Sequence, residues 1–404
     1  MSSSEASAKR AQTQEEIKPL LELCRAGKLF EVQEWVRAGK PVNLPLVHEK
    51  RTKRNRPLWV AIELGFHSLV QVLLEGGAEI EEPDYSALYQ ALLKRRLDLI
   101  QLLVEHGADI HSVTMASVFE SWDPRIMQYF IEKGADVKTD NPLAYALCSR
   151  IRTALNIFQR YKDRVPSFQK QINIALRHHC KEGSLKWVSL LLWAGANPYE
   201  KGPDSAHDDP DAEEDHNALE LAALFGHFEI FKIKRIQLDQ KHPRAKELLQ
   251  EACHGGKANL LRELLAKGFN PQEFEDEGSP LIQTLLNDLP WSFDYSFYDF
   301  YLPGRRKWKD IDTSKSLEKI KMIHLLVRNG AKWKPRDESD VSDARKSLLK
   351  MSPDYTLEFI WIMSQYNACN RKDVEQLIRT PSIRALISKH NQRVNEMVES
   401  FEAL

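Results

Sequence analysis

Residues 56–82 read RPLWVAIELGFHSLVQVLLEGGAEIEE, and this stretch decides the fold. Pro57 suits the first turn of a helix, where its missing N–H leaves no bond unmade. That helix is predicted to run to about Leu64 and to break at Gly65. A second helix then ends at Gly76-Gly77, where glycine takes the left-handed conformation that closes a helix. Glu79, two residues later, starts an extended link to whatever follows.

The closing phrase returns along the chain. It reads LLEGGAEI at 73–80, LLVEHGADI at 102–110, FIEKGADV at 130–137 and LLLWAGANP at 190–198. Looser copies are WVRAGKPVN at 35–43, LLAKGFNP at 264–271 and LLVRNGAKW at 325–333. The hinge glycines are Gly39, Gly77, Gly107, Gly134, Gly195, Gly268 and Gly330. Their spacing fits a unit of about 33 residues, with doubled steps and insertions. Another clear copy is NALELAALFGHFEIFK at 217–232, in which Ala218, Leu219, Ala222 and Ala223 keep helical spacing, Gly226-His227 breaks the helix and Ile230 begins a second apolar stripe. Units of this kind bury their apolar faces against one another, so the core grows lengthwise.

A Pro-Leu start, a small-residue pair, Gly-His, an apolar second helix and Gly-Ala-Asp together resemble the ankyrin repeat. The match is best at 56–82, 86–111 and 217–230, and degenerate at 112–138, 141–165 and 168–198. Further units fall near 18–43, 245–271, 279–333 and 343–370. The resemblance implies an all-α fold: an ankyrin-type α-solenoid of about ten helix-turn-helix repeats spanning 17–370. Residues 1–16 are expected to be a disordered lead, and 371–404 a C-terminal helical cap broken at Thr380-Pro381. His227 holds the family's Gly-His position, which implies an imidazole bridging backbone groups between units.

Composition sets the remaining bounds. With 57 basic and 58 acidic residues the formal net charge is −1, which gives no bulk pull toward nucleic acid or an anionic membrane. No apolar run reaches the roughly 18 residues of a membrane helix. The opening MSSSEASAKRAQTQEE has no apolar segment, so neither a signal peptide nor a membrane partner is expected. A cytoplasmic location follows, with the nucleus left open. Cys24, Cys180 and Cys253 each precede a turn glycine by three residues, the slot that Ala223 fills before Gly226. They are read as small buried hydrophobes, and Cys148 lies close to the matching slot.

Three interruptions depart from the repeat, and insertions of this kind often mark a binding face. The basic segment at 48–56 carries Lys50, Arg51, Lys53, Arg54 and Arg56, which suit either a solvated loop or a grip on phosphate or an acidic partner. The acidic insertion at 200–216 has seven acidic residues within 204–215 but lacks the alternating ligands and turn glycine of a calcium loop. A self-repelling, solvated loop is expected there. The aromatic-basic insertion, residues 290–316, splits one unit and contains Trp291, Phe293, Tyr295, Phe297, Tyr298, Phe300, Tyr301 and Trp308, with Arg305, Arg306, Lys307 and Lys309. Its rings suit burial on the solenoid, contact with a partner or, less well, ligand stacking. Aromatics and arginine dominate interface hot spots.

No Walker loop, dinucleotide fingerprint, metalloprotease helix or serine elbow occurs. His178 and His179 lie beside Cys180, but neighbours on a helix point about 100° apart, so the cluster is set aside. No catalytic residue, cofactor or metal site is therefore assigned. The functional reading is a non-catalytic scaffold or adaptor that binds a protein partner through its concave helical face and projecting loops. Besides the aromatic insertion, Leu64, Phe225, Lys53 and Arg54 are candidate contacts. The family pattern places Glu63, Leu64, Leu93, Lys94, Leu224 and Phe225 at exposed concave positions. The alternative is a nucleic-acid-associated or regulatory or inhibitory protein using the basic loops at 48–56 and 305–309, and a third reading is a small-molecule or enzymatic role centred on the aromatic insertion.

Overall fold

In the computed structural model, residues 10–45, 56–82, 85–208, 216–236, 238, 245–271, 281–286, 313–350 and 353–370 are described. The described residues are almost entirely helical. Extended pairing among them comprises a short antiparallel pair, Glu81–Glu82 with Tyr85–Ser86, and two isolated bridges, Arg10 with Asn43 and Trp333 with Cys369. The chain divides into two units, one comprising 1–175 and 205–212 and the other 176–204 and 213–404.

The first unit is a row of helical hairpins: α1 (Gln14–Arg25) with α2 (Leu29–Arg37), α3 (Pro57–Leu64) with α4 (His67–Glu75), and α5 (Ala87–Leu93) with α6 (Leu97–Glu105). The degenerate repeats follow as α7 (Met115–Glu120) with α8 (Pro124–Glu132) and α9 (Pro142–Cys148) with α10 (Thr153–Tyr161). First helices stack on first helices, as α3 does on α1 and α5, and second helices stack on second helices, as α4 does on α2 and α6. Side chains from both layers meet between them. Leu69, Leu73, Leu99, Leu103, Ile126 and Phe130 are fully buried there. Each such burial contributes about 1.5–3 kcal/mol.

Local signals start these helices. Pro57 and Pro124 occupy first turns; Ser86 accepts from the Tyr89 amide, Thr114 from Ser117 and Asp123 from Arg125. Helix α1 begins within the stretch expected to be a disordered lead. Ahead of it, Ala11 donates its amide to the Asn43 carbonyl at 3.0 Å and Arg10 pairs with Glu79, so residues 10–16 are held by partners.

Helix α11 (Ser167–Lys181) passes from the first unit into the second and is followed by α12 (Leu185–Ala194). The second unit continues with α13 (Ala218–Leu224), α14 (Ala245–His254) with α15 (Ala258–Ala266), α16 (Leu281–Leu286) with α17 (Thr313–Arg328), and α18 (Glu338–Lys350) with α19 (Pro353–Gln365). The copy at 217–232 departs from expectation in its second half. Its second apolar stripe forms only a 3-10 turn, Phe228–Lys232, although Ile230 is fully buried. A stripe this short does not recover the cost of starting an α-helix.

All seven hinge glycines adopt positive φ. The turn between the first and second helix of a repeat is a different position, and the next repeat covers it. Arg96 Nη1 donates to the Gly65 carbonyl at 2.8 Å, and His227 Nε2 meets the Lys181 carbonyl at 2.9 Å. Gly183 shows why that turn needs glycine: φ is +72°, and a Cβ would lie 2.6 Å from His227 Cε1 and 2.8 Å from Cγ. Three successive repeats of the first unit break this rule. Arg95, Trp122 and Arg150 hold the same left-handed turn at φ 54°, 60° and 62°. Such a conformation strains any residue with a Cβ, and a bulky one most.

Candidate functional site

The first helices of the first unit end in an apolar set open to solvent. Leu64 closes α3, Tyr89 and Leu93 lie one turn apart on α5, and Trp122 follows α7. Their relative exposures are 52%, 43%, 63% and 47%, far above the buried Leu88 and Leu92 beside them. Leu64 and Leu93 are thus open, as the family pattern requires. Tyr89 and Trp122 were not anticipated. Trp122 lies in a degenerate repeat where a Gly-His landmark is missing, and its left-handed turn gave no sequence signal.

Polar partners hold this edge in place. Lys94 pairs with Glu63 at 2.5 Å across adjoining repeats, and Gln90 Nε2 donates to Glu63 Oε1 at 3.0 Å. Tyr145 on α9 donates its hydroxyl to Glu120 on α7 at 2.8 Å. That hydrogen bond and the charge of Glu120 raise the phenol above its ordinary value. The resulting surface has apolar caps on a framework of cross-repeat hydrogen bonds.

The other predicted positions divide clearly. Phe225 is half-buried rather than open, with Lys181 Nζ 5.8 Å from its ring centroid; Leu224 is also half-buried. Arg56 is withdrawn from the basic segment: it is buried, with its guanidinium carbon 5.0 Å from the centre of the Tyr85 ring. Lys53 and Arg54 lie outside the described residues, as do Trp291, Phe293, Tyr295, Phe297, Tyr298, Phe300, Tyr301, Arg305, Arg306 and Trp308.

The acidic insertion is not simply solvated over its described part. Within the second unit, Arg177 donates to the carbonyls of Pro203 at 2.7 Å and Glu200 at 2.9 Å, and Lys181 pairs with Asp204 at 2.8 Å. Within the first, Ala206 is buried with Ala144 and Ile174, and Asn141 Nδ2 donates to the Ala206 and Asp208 carbonyls. These backbone acceptors explain why the segment is held despite its charge. Residues 209–215 lie outside the described set.

The chemistry of the thiols is muted by packing. Cys24, Cys180 and Cys253 are buried, as the small-residue slot requires, and burial pushes the Cys24 thiol up to about 12 and the other two upward as well. In α14, Glu251 behaves in the opposite sense. Burial raises its pKa, but hydrogen bonds from His216 and His254 outweigh that and bring it down to about 2. The imidazole of His254 lies 3.1 Å from the carboxylate and that of His216 lies 3.6 Å away.

A family model described as ankyrin repeats, three copies, matches residues 20–114. Residues 20–114 therefore carry ankyrin repeats. It is 27% identical over 190 residues to an ankyrin repeat and KH domain-containing protein of Caenorhabditis briggsae, a match covering 43% of this chain and 7% of the relative's length. Among solved structures, the ankyrin repeat domain of Bcl-3, described as a unique member of the IkappaB family, is 18% identical. That match covers 48% of this chain and 91% of the other at a TM-score of 0.35. The human ASB11 ankyrin repeat domain is also 18% identical, covering 50% and 91% at a TM-score of 0.34. The stacked helical hairpins and the repeats matched at 20–114 make the fold an all-α ankyrin solenoid; such repeats generally supply protein–protein interaction and are typically non-catalytic. No helix among the described residues is long and apolar enough to cross a membrane.

Proposed function

We propose that this chain is a non-catalytic scaffold that binds a protein partner on the first-helix face of its first unit. The observation that carries this reading is the run of Leu64, Tyr89, Leu93 and Trp122, exposed over three consecutive repeats. Isolated apolar residues on a surface need no explanation, whereas a contiguous set rimmed by polar groups marks an interaction site. Trp122 adds weight, because a half-exposed indole in a left-handed turn is strained without being buried in return. Tryptophan, tyrosine and leucine supply anchors, while the Glu63–Lys94 pair supplies a polar rim. The aromatic-basic insertion at 290–316 extends the proposal on sequence alone, as a second source of anchors. A cytoplasmic setting belongs to the same reading, since the thiols serve as packing groups rather than cross-links.

Site-specific photo-crosslinking in cells tests the reading. A photoreactive residue at position 93 should give a discrete protein adduct, and one at Gln71, exposed on α4, should not. Leu64→Ser with Trp122→Ser should abolish the adduct from position 93. Equal adduct formation from both positions, or an adduct indifferent to the double substitution, would sink this assignment.

A further inference from the structure

A cluster of different chemistry lies in the second unit. Helix α11 ends in His178-His179-Cys180-Lys181, and Glu182 follows directly. Helical geometry sends adjacent side chains about 100° apart, which is the reason the sequence offers for dismissing this pair. In the structure the two imidazoles nevertheless converge. Their ring centroids are 5.1 Å apart, and the Glu182 carboxylate reaches both. Oε1 lies 3.5 Å from His178 Nε2 and Oε2 lies 3.6 Å from His179 Nδ1. One ligand atom from each residue falls within 4.8 Å of the others.

Those separations have a chemical meaning. A charge-assisted hydrogen bond between these groups would be about 2.7–2.9 Å long. Two donor atoms that each lie about 2.0–2.1 Å from a tetrahedral zinc ion stand roughly 3.3 Å apart. The observed nitrogen–oxygen distances are nearer to the edge of a metal coordination shell than to a hydrogen bond. Packing also fixes one ligand, since His179 is fully buried and its ring stacks on Trp187 with centroids 5.3 Å apart and planes 17° from parallel. His178 is half-buried and Glu182 is exposed, so solvent can reach the cluster and complete a coordination shell.

The local charges suit a cation. The C-terminus is the negative end of a helix dipole, which favours positive charge nearby. Lys181 is committed elsewhere, with its ammonium paired to Asp204. Cys180 is buried and takes no part. The donor set is two imidazoles and one carboxylate, which favours zinc and its neighbours over magnesium or calcium.

We propose that His178, His179 and Glu182 form a divalent transition-metal site that takes zinc through one atom of each side chain, with water completing the shell. Bound there, the ion joins the end of α11 to the turn that leads into α12. It is a structural clasp.

The test uses the full chain stripped of metal with EDTA. Zinc binding is followed by calorimetry, and cobalt substitution by visible absorption. The expected result is one zinc ion per chain at the cluster, with His178→Gln and Glu182→Gln each weakening binding at least tenfold. His111→Gln, at an exposed residue of the first unit, should leave binding unchanged. Both cluster variants change solvent-reachable side chains and leave buried His179 in place, and circular dichroism checks that each is folded. Tetrahedral cobalt bands should appear in the wild type and be lost in both variants. Failure to bind one equivalent, or affinity that survives both substitutions, overturns the site. Displacement of zinc by millimolar magnesium would overturn the imidazole ligand set.

Discussion

Replacing Gly183 with alanine should cost more than the same change at Gly256, although both occupy the turn after the first helix of a repeat in the second unit. Both are left-handed, at φ +72° and +64°. Forcing a residue with a Cβ into that region costs about 1–2 kcal/mol, and the loss of backbone freedom in the unfolded chain returns about 0.4–1 kcal/mol. Gly256 has nothing within 4 Å of a built Cβ, so Gly256→Ala should destabilise by about 1 kcal/mol. At Gly183 the same methyl meets the His227 ring, 2.6 Å from Cε1, and drives it off the Lys181 carbonyl. Losing that hydrogen bond adds about 1 kcal/mol, for a total of about 2–3 kcal/mol. The assay is urea unfolding of the metal-free chain, followed by circular dichroism, for both variants and for each combined with His227→Ala. In the His227→Ala background the cost at Gly183 should fall to that at Gly256, because the obstructing ring is gone. Equal costs for the two single variants, or a Gly183→Ala cost unchanged by His227→Ala, would refute this account of inter-repeat packing.

Other consequences follow from single groups. Glu251, held at about 2 against an ordinary 4.5, contributes stability that is fully present above pH 4.5 and is lost as pH falls through about 2. Glu251→Gln should flatten the pH–stability curve of the second unit in that window and lower stability at pH 6 by about 2 kcal/mol, read by urea melts at stepped pH. Asn217 caps α13 and exchanges hydrogen bonds with Glu220 in a capping box, so Asn217→Ala should cost about 1–2 kcal/mol and raise amide exchange at Leu219 and Glu220. Arg95 is exposed at φ 54°, so Arg95→Gly should stabilise the first unit by about 0.5 kcal/mol, seen as a higher urea midpoint. A drop in midpoint would mean that this turn carries no strain.

The repeat was legible because its signals are local. Each hinge glycine, from Gly39 to Gly330, occupies a left-handed turn, and Pro57, Gly65 and Gly77 fall where the punctuation of one stretch put them. The buried cysteines were readable from their fixed offset to a turn glycine. What escaped depends on residues far apart in sequence or on absent landmarks. Glu251 takes part of its character from His216, which precedes α13, and Phe225 meets Lys181 of the preceding repeat. Trp122 holds a glycine's conformation without a glycine's signature. The convergence of His178 and His179 escaped the sequence because Cβ directions say little about where an imidazole nitrogen ends, and the carboxylate near both comes from beyond the helix.

The buried slot cysteines have an experimental use beyond packing. A neutral thiol enclosed by its repeat reacts with an alkylating reagent only when that repeat opens. Cys24 reports on the first repeat of the first unit, while Cys180 and Cys253 report on two separate repeats of the second. Peptide mapping after timed alkylation would therefore measure three local opening rates in the unmodified protein. The array thus carries its own clocks, one for each of three repeats.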